Sequence, residues 1–102
     1  METKAENLGT VYVVTLECGA SVMVNCGPPK VFDTLGAAIA FAEAHSEKST
    51  IAKNYSWLSD PGKHDGIFAC YVFGASVEFR DGSRYWEKYV VRQLPVLSIS
   101  DV

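Results

Sequence analysis

The stretch from Ser56 to Gly74, SWLSDPGKHDGIFACYVFG, holds the residues of this chain whose types and spacing could do chemistry. It contains a Gly-Lys pair, a histidine that stands before an aspartate, and a cysteine a few residues further on. Such residues serve in phosphate-binding loops, in metal sites and in pairs of a nucleophile with its base. Their spacing decides which of these sites the stretch can form.

The Gly62-Lys63 pair does not form a phosphate-binding loop. That motif needs a glycine five residues before the second glycine and a serine or threonine after the lysine. A tryptophan and His64 occupy those two positions here. The preceding Asp60-Pro61 is typical of a turn, because proline fixes φ and the following glycine permits a positive φ. We therefore interpret the segment as a connection between strands.

His64 and Cys70 are the weak catalytic candidates of the chain. His64 has Asp65 beside it but no second histidine or cysteine at the short spacing of a transition-metal site, which predicts neither a metal nor another cofactor. Cys70 could be a nucleophile with His64 as its base. It lies within a predicted strand, without the helix N-terminus that lowers a thiol pKa, and no third residue orients the base. The residues therefore favour a protein that is not an enzyme, but catalytic activity stays an open alternative.

Length and composition predict one domain over residues 1–102, with flexible or edge segments at 1–9 and 96–102. The N-terminus lacks an apolar signal segment, and the longest apolar stretch, LGAAIAFAEA, is too short to span a bilayer. The three cysteines are odd in number and widely spaced, which fits a reducing compartment better than a disulfide framework. We therefore expect a cytoplasmic protein without membrane contacts.

The charge restricts the class of partner. A formal net charge of −3 repels phosphate backbones, so direct binding to nucleic acid is disfavoured, and a basic protein complex suits the chain better. A local basic stripe stays open for the basic residues near the end of the chain: Arg80, Arg84, Lys88 and Arg92.

The segment TVYVVTLECGASVMVNCG predicts two strands that are joined by a turn. Gly19 and Ala20 as the central residues suit a type II′ turn, which places Val13 opposite Cys26. Cys18 then lies on the other face of the ribbon. Because side chains that point apart cannot meet the geometry of a disulfide, both cysteines are expected to be reduced.

The next segment, GPPKVF, predicts a stiff connector, since proline cannot donate to a sheet ladder. The following DTLGAAIAFAEAHSEK predicts a helix, with Asp33 as its N-cap and His45 capping carbonyl oxygens near its C-terminus. Small residues let a helix lie close against a sheet, so we expect this helix to cover one sheet face. Its apolar positions at helical spacing form one stripe: Leu35, Ala38, Ile39 and Ala42.

Three further strands are predicted in the second half of the chain. STIAKNYSWL predicts a strand with Ile51, Tyr55 and Trp57 on one side. DGIFACYVFGASVEF alternates strictly, with apolar residues at the odd positions from Ala69 to Phe79. The last strand is RYWEKYVVRQL.

The Asp81-Gly82 pair favours a two-residue type I′ turn between the last two strands. In that register Gly74 lies opposite Tyr89, whose ring can cover the glycine. A one-residue bulge at Gly82 would shift this register and stays open. The pattern assigns the other large aromatic residues to the core: Phe41, Tyr71, Phe73, Phe79 and Trp86.

These elements predict an α+β fold with the order ββαβββ, an antiparallel sheet of about five strands with one helix packed on one face. The second face must then meet water, the N-terminal segment or a partner. In the predicted register that face carries two tyrosines among carboxylates, which suit a binding interface: Glu78, Tyr85, Glu87 and Tyr89.

The residues favour a small non-enzymatic protein-binding module. Compactness and acidity suit a steric inhibitor of a basic, nucleic-acid-handling complex, and phage-encoded inhibitors such as anti-CRISPR proteins are similar to this chain in size and charge alone. Two alternatives stay open. One is a small enzyme or ligand-binding domain around His64, Asp65 and Cys70, and the other is an obligate homodimer that closes its exposed face or edge on itself.

Overall fold

The computed structural model describes residues 4–20, 22–63 and 69–100, which form an antiparallel sheet of six strands with one helix packed against it. This architecture confirms the α+β class that the sequence predicts. The strands lie side by side in the order β2-β1-β6-β5-β4, and β3 also pairs with β1. The elements in chain order are β1 (Lys4–Gly19), β2 (Met23–Asn25), β3 (Lys30–Phe32), α1 (Leu35–Ser46), β4 (Ser56–Trp57), β5 (Cys70–Glu78) and β6 (Arg84–Ser100).

Strand β3 is the element that the sequence does not predict. Val31 pairs with Val13 of β1, so part of the segment expected to be a connector adds a short strand to the sheet. The two prolines come before the pairing residues, and the ladder therefore loses no N–H donor.

The hydrophobic core lies between α1 and the two long central strands. Val14 of β1 and Val91 of β6 are opposite each other in the register and are 2% and 0% exposed. The helix covers them through Ala38 and Ala42, both 0% exposed, in one cluster with Tyr71 of β5. Because alanine side chains are short, the helix approaches the sheet closely, as the sequence predicts.

Helix α1 begins after Thr34, whose Oγ1 accepts a hydrogen bond of 3.1 Å from the Ala37 N–H. Thr34 is therefore the N-cap, and the prediction of Asp33 is wrong by one residue. Phe32 and Phe41 fix the entry of the chain into the helix with ring centroids 5.2 Å apart. The helix has 12 residues, and no helix in the described part of the chain is long and apolar enough to cross a membrane.

The turn between β5 and β6 has one residue more than the predicted type I′ turn. The Phe79 N–H donates to the Ser83 carbonyl oxygen at 2.8 Å, and the Gly82 N–H donates to the Phe79 oxygen at 3.0 Å. Gly82 has a φ of 87°, the left-handed conformation that a glycine adopts in a three-residue hairpin loop with a bulge. The bulge that the sequence leaves open is therefore present.

The shifted register moves the side chains of β6 to the opposite face of the sheet, because strand side chains alternate with a period of two. Gly74 pairs with Lys88 rather than with Tyr89. The place of a Cβ at Gly74 has Leu58 Cδ1 and Lys88 Cγ each 3.2 Å away. This glycine is therefore covered by a leucine and by the aliphatic part of a lysine side chain. The predicted aromatic ring of the opposite strand does not cover it.

The first hairpin also differs from its predicted register. Gly19 pairs with Met23, and a Cβ at Gly19 would collide with the Val22 carbonyl oxygen, so the longer loop requires glycine there. This register places Cys18 and Cys26 on one face, where their Cα atoms are 6.3 Å apart and their sulfurs form a disulfide. The prediction that both are reduced is wrong, and the cysteines no longer favour a reducing compartment.

Of the third predicted strand, only the two residues of β4 are in a strand. The Ser49 hydroxyl accepts hydrogen bonds from the Ile51 N–H at 3.3 Å and from the Ala52 N–H at 3.0 Å. A serine that bonds backbone groups so close to itself competes with a sheet ladder, which explains the loop. As a result Ile51 is 49% exposed and does not share the buried side of Tyr55.

Beyond the other strands, β1 and β6 continue as a two-stranded ribbon in which Lys4 pairs with Ser100 and Val11 with Leu94. The ribbon makes the chain elongated: its radius of gyration is 16.5 Å, against about 13 Å for a compact domain of this length. It contains the segments 4–9 and 96–100, for which flexible or edge positions are predicted, and no third described strand pairs with it.

Candidate functional site

The register divides the side chains of the central strands between two faces. We define the covered face as the even positions of β1 from Tyr12 and the odd positions of β5 and β6, on which α1 packs. We define the open face as the odd positions of β1 from Val11 and the even positions of β5 and β6. The helix contacts β1, β6 and β3 from the covered face.

The predicted binding residues do not share one face. Glu78 lies on the open face and is exposed, as predicted. Tyr85, Glu87 and Tyr89 lie on the covered face, where Glu87 is 9% and Tyr89 is 4% exposed. Their placement on an uncovered face is wrong because the bulge at Gly82 shifts the register by one residue. An exposed interface therefore cannot be built from these four residues together.

Glu87, itself buried, instead forms the centre of a half-buried hydroxyl cluster on the covered face. Its Oε1 accepts hydrogen bonds from the Tyr55 hydroxyl at 2.6 Å and from the Ser49 hydroxyl at 2.9 Å. Burial, followed by the charge of Glu87, raises the pKa of the neighbouring Tyr85. We call these four residues, Ser49, Tyr55, Tyr85 and Glu87, the Glu87 cluster.

No basic side chain among the described residues forms an ion pair with Glu87: the two ion pairs found there join Arg84 to Glu78 and Arg92 to Glu17. A carboxylate that leaves water without a cation needs strong hydrogen-bond donors, and the hydroxyls provide them. Burial, followed by the bond to Glu87, raises the pKa of Tyr55 well above its ordinary value.

The end of α1 adds a second polar contact beside the cluster. His45 Nδ1 and the Tyr89 hydroxyl are 2.8 Å apart, which joins the last turn of the helix to β6. The His45 ring stacks on Phe41 with centroids 5.1 Å apart. The side chain therefore binds a tyrosine and not the carbonyl oxygens for which the sequence predicts it. Burial and the charge of Glu87 raise the pKa of Tyr89.

Two neighbouring cavities open along this part of the covered face. One has a volume of about 230 Å³, and Glu87 and Ser49 lie in its wall. The other has a volume of about 190 Å³ and a mostly apolar wall that includes Phe41. Both share Leu16, His45 and Tyr89, so they form one cleft with a polar and an apolar end. We call it the helix-end cleft.

The open face carries a tryptophan among basic residues. Trp86 is half-buried there rather than in the core, and the Lys88 Nζ lies 5.1 Å from the centre of its ring. Arg84 pairs with the exposed Glu78 at 3.3 Å. Arg92 binds a carboxylate and a hydroxyl of β1 at 3.2 Å and 3.0 Å. Three of the four basic residues that the sequence gathers near its end therefore follow one another along β6.

Apolar side chains complete the open face. Leu58 reaches it over Gly74, and Val13, Val72 and Leu94 belong to it by register. Leu58 and Leu94 are 54% and 39% exposed. Phe79, predicted for the core, is 46% exposed at the end of the hairpin.

The turn at residues 60–63 is confirmed. The Gly62 N–H donates to Asp60 Oδ1 at 2.8 Å, and the Lys63 N–H donates to the Asp60 carbonyl oxygen at 3.2 Å. Cys70 has an exposed thiol at the start of β5. His64 and Asp65 lie outside the described residues, so their predicted pairing with Cys70 stays a prediction. Within the described ranges no group of three or more His, Cys, Asp or Glu side chains is suited to hold a metal.

The sequence could not reveal the Glu87 cluster, because its partners are 32 and 38 residues from Glu87 along the chain. The alternation of β6 does give a signal: Glu87 stands between two tyrosines on one face of the strand. Comparisons of the chain with protein families, with curated proteins and with solved structures find no match.

Proposed function

We propose that this chain is a small protein-binding module that docks through its open face. The observation that carries this function is a half-buried tryptophan, Trp86, on a sheet face over which no described helix packs. Tryptophan and arginine are enriched among the residues that dominate binding energies, and flat apolar surface around them excludes water on docking. Trp86 has Lys88 against its ring and stands two residues from Arg84 along the strand.

The charges of the open face favour an acidic partner. This face carries three basic residues, Arg84, Lys88 and Arg92, and two acidic ones, Glu17 and Glu78. The whole chain, in contrast, has a net charge of −3. The basic partner expected from the sequence depended on Glu78 and Glu87 sharing the uncovered face, and Glu87 lies on the other one. Complementary charge steers association and suppresses wrong partners.

A module that docks through a flat sheet face acts by occupying a surface of its partner, so steric inhibition remains the proposed activity. The Cys18–Cys26 disulfide agrees better with an oxidising compartment than with the cytoplasm. Partners should therefore be sought in both kinds of compartment.

Site-specific photo-cross-linking in native cells tests this function, because it captures a bound partner covalently whatever its identity. A benzophenone amino acid replaces Ser76, which pairs with Trp86 in the register, or Ala44, an exposed residue on α1, as the matched control. We expect a discrete protein adduct from position 76 that excess unlabelled chain suppresses, and no such adduct from position 44. Adducts from position 44 alone, or competed adducts at equal yield from both, would contradict docking through the open face.

A further inference from the structure

The covered face holds a second feature, which docking through the open face does not use. We propose that the helix-end cleft binds a small organic amine, with its ammonium group at Glu87 and its apolar body toward Phe41. The carboxylate, the hydroxyls beside it and the apolar wall each specify one part of this ligand.

The charge comes from Glu87. Buried carboxylates in proteins are usually compensated by a cation or by hydrogen-bond donors, and here the donors are neutral hydroxyls. Tyr55 and Ser49 both bond to Oε1, at 2.6 Å and 2.9 Å, so they fix the orientation of the carboxylate without neutralising it. A bound ammonium would supply the missing positive charge.

Access comes from the cavity. Glu87 is 9% exposed, and it lies in the wall of the 230 Å³ cavity together with Ser49. A molecule that enters this cavity therefore meets Glu87. Tyr89 also lines this cavity, and aromatic rings attract cations through their negative faces.

The apolar end selects the rest of the ligand. The wall of the adjoining 190 Å³ cavity is mostly apolar, with Val14, Leu16 and Phe41 in it, and Lys30 also lines this cavity. It joins the polar end at Tyr89 and His45. Pockets of this kind bind ligands through apolar walls with a few polar groups that fix orientation. An amine with a short aromatic or aliphatic body matches the Glu87 carboxylate at one end and the apolar wall at the other.

Of the two lysines that line the cleft, Lys30 lies at the apolar end, and Lys48 lies at the polar end with Glu87, where it competes with the ammonium group of such a ligand. It lines the polar cavity at the end of the helix and forms no ion pair with Glu87 within 4.0 Å. Its ammonium nevertheless repels a second cation at close range. Removal of this charge should therefore strengthen binding, the opposite of the effect expected at Glu87.

Titration of the chain with phenethylamine, followed by amide NMR spectra, tests the site. Phenethyl alcohol is the matched neutral probe, because it has the same body and lacks the charge. We expect the amine to shift the signals of Ser49, Glu87 and Tyr89, and the alcohol to bind at least about tenfold more weakly. Equal binding of both probes, or shifts confined to other regions, would overturn the proposal.

Two variants decide which charge matters. Glu87→Gln keeps an oxygen that can accept from the hydroxyls, and it should weaken binding of the amine at least about tenfold. Lys48→Met changes an exposed side chain and should strengthen binding of the amine about two- to fivefold. If Glu87→Gln fails to fold, Lys48→Met alone is decisive: unchanged or weaker binding of the amine would overturn the proposal. Both measurements leave the open face intact, so their failure is distinguishable from a failure of docking.

Discussion

The two faces of this sheet solve the problem of charge in different ways. On the covered face a buried carboxylate, Glu87, is held by neutral hydroxyls at 2.6 Å and 2.9 Å. On the open face the exposed Glu78 pairs with Arg84 at 3.3 Å, and the half-buried Glu17 pairs with Arg92 at 3.2 Å. Exposed pairs contribute little to stability, whereas a buried carboxylate without donors is strongly unfavourable. The covered face thus holds the core of the fold, and the open face is the one that we propose contacts another molecule.

The largest expected difference between the faces is found at two neighbours in β1. Val14 is 2% exposed on the covered face, and Val13 is partly exposed on the open face. Val14→Asp buries a charge without a partner and should lower the free energy of unfolding by about 3–5 kcal/mol. Val13→Asp, its matched control, should cost less than about 1 kcal/mol because water reaches the site. Chemical denaturation measures both, and equal losses would contradict the assignment of the faces.

The disulfide should have the next largest effect. Cys18 and Cys26 are 8 residues apart, and a loop of this size stabilises the folded state by about 2.5 kcal/mol through loss of unfolded-chain entropy. We therefore expect a reducing agent to lower the unfolding midpoint. The Cys18→Ser/Cys26→Ser double variant should begin at the lower midpoint and no longer respond to the reductant. A wild-type midpoint that does not change on reduction would contradict the register of the first hairpin.

Glu87 on the covered face and Glu78 on the open face allow a matched pair of substitutions with smaller effects on stability. Glu87→Gln weakens two hydrogen bonds to a buried carboxylate and should lower the free energy of unfolding by about 1–2 kcal/mol. Glu78→Gln breaks an exposed pair with Arg84 and should change it by less than about 0.5 kcal/mol. Thermal melts distinguish them. A larger loss at Glu78 would mean that the hairpin has the register of a two-residue turn.

The smallest effect appears in alkaline solution. Because the pKa of Tyr55 is raised in the folded chain, the unfolded chain ionises first, from about pH 10. Its contribution to stability is fully present below that pH and declines as the pH rises further. Tyr55→Phe should therefore make the decline of the melting temperature above pH 10 shallower. Its slope between pH 7 and 9 should match that of the wild type. Equal slopes above pH 10 would mean that Tyr55 is solvated.

The sequence predicts the elements of this fold better than their registers. The alanines of α1 and the alternation of β5 each specify one buried face, which is confirmed for Ala38 and Ala42 and for Tyr71, Phe73 and Ala75, but not for Phe79 at the end of the hairpin. The two hairpin turns contain Gly19 and Gly82, and glycine permits loops of two or three residues. One residue more at Gly82 exchanges the faces of Trp86 and Tyr89.

The candidate sites follow from those registers, so the sequence alone could not locate them. The sequence places Glu78 correctly because this residue lies on β5, before the bulge. Glu87 and Tyr89 follow the bulge and therefore lie on the face opposite to the predicted one. The contacts of Ser49 and Tyr55 with Glu87 depend on the loop after α1, where a serine side chain replaces the expected strand ladder.

Docking through the open face is tested most directly with the partner that the cross-linking experiment identifies. The measurement is the affinity of that partner, without the cross-link, for two variants of this chain that each lack one aromatic ring. Trp86→Ala removes the ring at the centre of the basic residues, and Phe79→Ala removes an exposed ring at the hairpin end. A residue that dominates an interface costs about 2 kcal/mol or more on truncation, so Trp86→Ala should weaken binding by about 30-fold and Phe79→Ala by less than about twofold. Equal affinities of Trp86→Ala and the wild type would contradict docking through this face.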